Sequence, residues 1–199
     1  MNRRGQDRTG PLGGAGMVGL WGASSLVASV QTGQLDMNGV TTKTATISAV
    51  DLSRSICVFN GAKNTSGEST ANNASGLAFR VALTNSTTVT ANIVLSVAAA
   101  GRLVNFTVVE FFPGVLRSVQ RGSITMNGVG SGTATITEVN VAKSLVTYNG
   151  YTTTYTESPP MYLNRLGAIL TLTNATTVTA NRGSTDGTTI TDFEVVEYF

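Results

Sequence analysis

Two glutamates raise the question of chemistry. Glu110 and Glu197 each follow a Val-Val pair, 87 positions apart, and two matched carboxylates are the minimum equipment of a glycoside hydrolase. Their place at the end of a strand-like run points instead to a rim position, or to a pairing with arginine. The sequence has no histidine and one cysteine, Cys57. The nucleophile–base couples of hydrolases and the ligand clusters of zinc sites are therefore missing. Val146 stands at the position matching Cys57, which reads the thiol as a small apolar filler. Asp186, Asp192 and Glu194 gather near one expected turn without the spacing of a calcium loop. Gly10 to Gly16 is glycine-rich but lacks the lysine and strand–helix setting of a phosphate loop. The expectation is a protein that is not an enzyme and holds no metal or cofactor.

What must position these residues is a repeated frame. Ser29-Val30-Gln31-Thr32-Gly33 returns as Ser118-Val119-Gln120-Arg121-Gly122, and Met37-Asn38-Gly39-Val40 as Met126-Asn127-Gly128-Val129. Thr44-Ala45-Thr46-Ile47 returns at 133–136, and Leu83-Thr84-Asn85 with Thr87 to Asn92 at 172–174 and 176–181. The offset is 89 throughout and slips to 87 only at Val108-Val109-Glu110 against Val195-Val196-Glu197. A constant offset over so long a stretch means two copies of one folded unit. The expected organisation is an arm at 1–28, a first unit at 29–112, a joint at 113–117 and a second unit at 118–199. A joint so short requires the units to touch.

Within each unit the apolar period is two. Leu77, Phe79, Val81 and Leu83 alternate with Ala78, Arg80, Ala82 and Thr84, the mark of strands with one buried face. Asn38-Gly39, Asn60-Gly61, Asn127-Gly128 and Asn149-Gly150 read as turns, as do Asn85-Ser86 and Asn174-Ala175, because asparagine and glycine accept positive φ. The fold expected is all-β: two tandem antiparallel β-sandwich domains, Ig-like or small barrels, related by internal duplication, plus an extended N-terminal arm. The copies diverge most at 62–75 against 151–163. There the second copy carries Tyr151, Tyr155, Tyr162 and Pro159-Pro160, read either as a loop that would stack on a sugar or anchor a protein partner, or as tyrosines that cap a long loop or bury against the sister unit. Five N-x-[ST] sequons, at Asn64, Asn73, Asn85, Asn105 and Asn174, are what chance gives in a chain this rich in Asn and Thr.

Charged residues make up 12% of the chain and the net charge is +2. So small a charge implies no nucleic-acid partner. Residues 9–28 are uncharged, yet glycines interrupt them too often for a membrane helix or a typical signal peptide. Met17, Val18, Leu20 and Trp21 are the arm's candidate anchors to a neighbouring subunit, Trp21 foremost. The alternative is that the arm folds back on the first unit as an added strand.

The strings SVQ-x-G, TATI, LTN-x-TTVTA and VVEF, with a PG-containing joint leading into the next SVQ, resemble a group of small bacteriophage virion proteins over residues 29–199. The resemblance implies a virion component without enzymatic activity and transfers no functional residues. The expectation is a homo-oligomeric tail, collar or fibre accessory in contact with other virion proteins (portal, tail or capsid), docked by its arm. Its exposed loop would face a host glycan or receptor, and no membrane is involved. The alternatives are a capsid decoration protein, or an exported adhesin or carbohydrate-binding module.

Overall fold

A computed structural model describes residues 26–64, 78–94, 102–154 and 167–199. The molecule is all-β, built from twelve described strands in three sheets. The first half holds β1 (Val27–Asp36), β2 (Thr42–Thr46), β3 (Ser55–Asn64), β4 (Arg80–Asn85), β5 (Thr88–Asn92) and β6 (Arg102–Phe111). The second holds β7 (Leu116–Asn127), β8 (Ser131–Thr135), β9 (Ser144–Thr153), β10 (Ile169–Asn174), β11 (Thr177–Asn181) and β12 (Thr188–Tyr198). One sheet runs β1-β6-β3 and another β10-β11-β8, while the third runs β2-β5-β4-β9-β12-β7. The six-stranded sheet is thus β2-β5-β4 of the first half joined to β9-β12-β7 of the second. Among the described residues the joint is one bridge, Arg80 against Gly150.

Each half buries one apolar cluster between its two sets of three strands. In the first, Leu35, Cys57, Val81, Val89, Phe106 and Val108 meet. In the second, Ile124, Val178, Ala180, Phe193 and Val195 are buried, with Val146 and Leu170 packed against them. The alternation seen in the sequence is the cause, since every second residue of each strand points inward. Gly33 and Gly122 leave room for the rings of Phe106 and Phe193, which occupy the space a Cβ would need.

The repeated strings have identifiable jobs. The Gln31 carboxamide donates to the Ser48 carbonyl at 3.0 Å and accepts from its N–H at 2.7 Å. Gln120 does the same for Thr137 at 2.9 and 2.7 Å. Asn85 and Asn174 each accept the N–H two residues on, from Thr87 and Thr176, at 2.9 Å. That side-chain bond makes an Asx turn, and it corrects the expectation of positive φ at these asparagines, since no described residue other than glycine has φ above zero.

Two further expectations change. Asn60-Gly61 and Asn149-Gly150 are not turns but bulges inside β3 and β9, where the register against β6 and β12 shifts. A bulge needs the same positive φ from glycine as a turn, and Gly61 and Gly150 sit at +103° and +89°. Strand β1 starts at Val27, inside the stretch assigned to the arm, and β7 starts at Leu116, inside the expected joint.

Candidate functional site

The densest polar constellation lies where the halves meet. Arg121 on β7 stands directly across from Glu194 on β12, and its Nε donates to Glu194 Oε1 at 2.9 Å. The guanidinium also donates to the Leu52 carbonyl at 3.1 Å and to the Ser55 carbonyl of the first half. Glu194 Oε2 accepts the Cys57 N–H at 2.9 Å. Together the two side chains serve the outer edge of β3 as a neighbouring strand would, satisfying backbone groups left over by its pairing with β6. Nearby, Arg80 of β4 meets Asp192 at 2.8 Å. Gly150 lets the β4 backbone in, since a Cβ there would collide with the Phe79 carbonyl oxygen.

This placement explains why residues 191–197 of β12 are buried without alternation. One face lies on the second core and the other lies under the first half. Burial pushes the Glu194 carboxyl above the usual carboxylate range, with Arg121 and the Cys57 N–H opposing it. Asp192 is raised for the same reason against Arg80. Burial, then the Glu194 charge, pushes the Cys57 thiol up to about 12, which leaves it a core side chain and no nucleophile. Asp192 and Glu194 belong to a strand rather than to the expected turn.

The matched glutamates clasp each half to itself. Glu110 accepts from Ser29 Oγ at 3.3 Å, from the Asp51 N–H at 3.1 Å and from Arg54 at 3.0 Å. Glu197 accepts from Ser118 Oγ at 3.3 Å and from the Asn140 N–H at 2.9 Å, with Arg117 at 3.7 Å. They are far from one another in role, each tying the last strand of its half to the first strand and to a short 3-10 turn (Leu52–Arg54 or Val141–Lys143).

A recess opens at one end of the second half, lined by Tyr148, Gly167, Ala168, Ile169, Asn181 and Arg182. Ala168, one of its lining residues, stands where the first half buries the larger Phe79. Arg182 stands where the first half has Ile93, and its guanidinium donates to the carbonyls of Val129, Asp186 and Gly187 and to Thr189 Oγ1, all within 2.9 Å. Burial raises the phenol pKa of Tyr148, with Tyr151 adding to the shift and Thr191 opposing it, and raises that of Tyr151 as well.

Of the residues singled out from sequence, Tyr151 lies within β9, half-buried and paired with Thr191, not in an exposed loop. Tyr155 and Tyr162 lie outside the described residues, as do Met17, Val18, Leu20 and Trp21. The sequence alone does not single out Tyr148, Arg182 or the Arg121–Glu194 pair. The available signal was the repeat itself, which places Phe59, Ile93, Thr32 and Thr107 at the matching positions. Among the described residues no three acidic or cysteine side chains gather as metal ligands would. Comparison with protein-family models, characterised proteins and solved structures finds no match to this chain.

Proposed function

We propose that this protein is a non-enzymatic structural component of a bacteriophage virion, a tail, collar or fibre accessory docked through residues 1–28. The chain is read as two copies of one six-stranded antiparallel sandwich, Ig-like or barrel-like, with homo-oligomer and virion proteins as partners. One observation carries the reading. The strings that resemble phage virion proteins are the ones that build the scaffold in both halves: the Gln31 and Gln120 clasps, the Asn85 and Asn174 turns and the Glu110 and Glu197 ties. Glu110, Glu194 and Glu197 are engaged with backbone N–H groups and arginine, which suits a part that must hold its shape. Deleting residues 2–25, which leaves β1 whole, should abolish incorporation into particles while the far-ultraviolet spectrum of the purified protein stays that of a β protein. Normal incorporation of the truncated chain would overturn the proposal.

A capsid decoration protein is the alternative within the same class. The Tyr148 recess favours a second reading, an exported adhesin or carbohydrate-binding module, since phenols beside amides suit a sugar face. That reading requires saturable glycan binding that falls when Tyr148 or Tyr151 becomes Ala.

A further inference from the structure

The contact between the halves is heterologous. The first half offers an edge, made of the 3-10 turn Leu52–Arg54, the start of β3 and the start of β4. The second half offers a face, the outer side of β7-β12-β9. Each half carries both kinds of surface, so among the described residues one edge and one face are unused within the chain. The unused edge is Val141–Lys143 with the starts of β9 and β10, and the unused face is the outer side of β1-β6-β3.

Both unused surfaces show what a buried contact would need. On the edge, Val141, Leu145 and Tyr148 are exposed, and Ile169 is 74% exposed. On the face, Val30 is 57% exposed beside half-buried Val109. Exposed apolar side chains grouped on one edge mark an interaction site.

The charges change in step. Arg80 and Asp192 pair inside the chain, and at the unused counterparts stand Ile169 and Asn105. Arg121 and Glu194 pair across β7 and β12, and Thr32 and Thr107 face each other at the same register of β1 and β6. None of these four matching positions therefore carries a lone charge that would make its burial costly. The notch is kept as well: Gly61 matches Gly150, and among the described residues nothing lies within 4 Å of where its Cβ would be.

We infer that the second-half edge of one copy docks on the first-half face of the next, repeating between chains the contact made within the chain. This rests on the two-copy reading above. A heterologous contact closes into a ring or runs on as a filament, and the second copy is its occupant.

The test uses the full-length chain and three samples, weighed by light scattering and sedimentation. The unaltered protein should exceed monomer mass. An edge variant (Leu145→Lys with Ile169→Lys) and a face variant (Val30→Lys with Thr32→Lys) should each be monomeric with unchanged circular dichroism. Mixed in equal amounts they should form a dimer and nothing larger, because only one working edge and one working face remain. A monomeric unaltered protein would overturn the inference. So would an edge variant that stays oligomeric, which would give the association to residues 1–28 or another surface. A mixture that stays monomeric would overturn it too, by pointing to a two-fold contact. None of these outcomes bears on the virion assignment, which particle incorporation reads separately.

Discussion

Strands β6 and β12 occupy the same place in the two halves and have met different fates. Both bury Phe and Val inward, at Phe106 and Val108 and at Phe193 and Val195. Outward, β6 presents Asn105 and Thr107 to solvent or near it, while β12 holds Asp192 and Glu194 beneath the other half. Gln31 and Gln120, kept alike, have their partners in the same half. Arg121 and Glu194, which touch the first half, stand where the first half has Thr32 and Thr107. Inward packing sets the fold, and a few outward substitutions set what the fold is joined to.

The most severe way to break this comparison is to remove the cation at the seam. Arg121→Ala would leave the buried Glu194 charge without its partner and strip donors from two carbonyls. Breaking one side of a buried pair costs about 3–5 kcal/mol. Thr32→Ala at the matching exposed position should stay within about 0.5 kcal/mol. Urea midpoints of the two variants read the difference directly, and equal losses would mean that the seam contributes nothing.

Next come the bulge glycines. Gly150→Ala would combine positive φ with a collision against the Phe79 carbonyl. Left-handed backbone strain of about 1–2 kcal/mol and overpacking of about 1–3 kcal/mol would both apply. Gly61→Ala meets no neighbour among the described residues and should lose only the first, about 1–2 kcal/mol. A Gly61 variant as unstable as the Gly150 variant would show that backbone conformation, and not the approach of β4, dominates at both sites.

The same contrast shows what was legible in the sequence. Alternation at Val81 and Leu83, and the Gln and Asn positions of the turns and clasps, mark strands and their connections because their causes are local. Asn60-Gly61 and Asn149-Gly150 look like turns in sequence because a tight turn and a glycine bulge can ask the same φ of glycine, and only the register of a distant strand separates them. Tyr151 was drawn into a loop by the nearby Pro159-Pro160. The seam was hidden for a different reason. Arg121 and Glu194 are 73 positions apart and act on backbone atoms, which leave no side-chain trace. Their one visible mark is that threonines stand at both matching positions in a chain with few charges.

A smaller effect tests whether the cores are as alike as the seam is different. Gly33→Ala and Gly122→Ala would each press on a buried ring, Phe106 or Phe193, whose Cζ lies 2.6 Å from the new Cβ in the second case. Both should cost about 1–3 kcal/mol, with little difference between them. A large gap, seen as well-separated thermal midpoints, would mean that the two cores do not yield in the same way.

The mildest probe is pH, because the two halves should respond with opposite sign. Asp192 and Glu194 in the second half have raised carboxyl pKa values through burial. The folded state holds their protons more tightly than the unfolded chain. Their contribution is fully present below the unfolded carboxylate pKa and is lost as pH rises through the raised folded value. Asp51 in the first half is lowered, chiefly by the Ser53 hydroxyl and then by the Ser53 N–H. Its contribution is present above the ordinary carboxylate pKa and is lost as pH falls. Asn140 stands at its matching position, so the second half has no such loss at that site. Asp51→Asn should therefore reduce the loss of stability on acidification, and Asp192→Asn should remove part of the gain. Urea midpoints across the carboxylate range measure both slopes. If the Asp192 variant instead lost less stability in acid than the unaltered chain, Arg80 would outweigh burial at the seam.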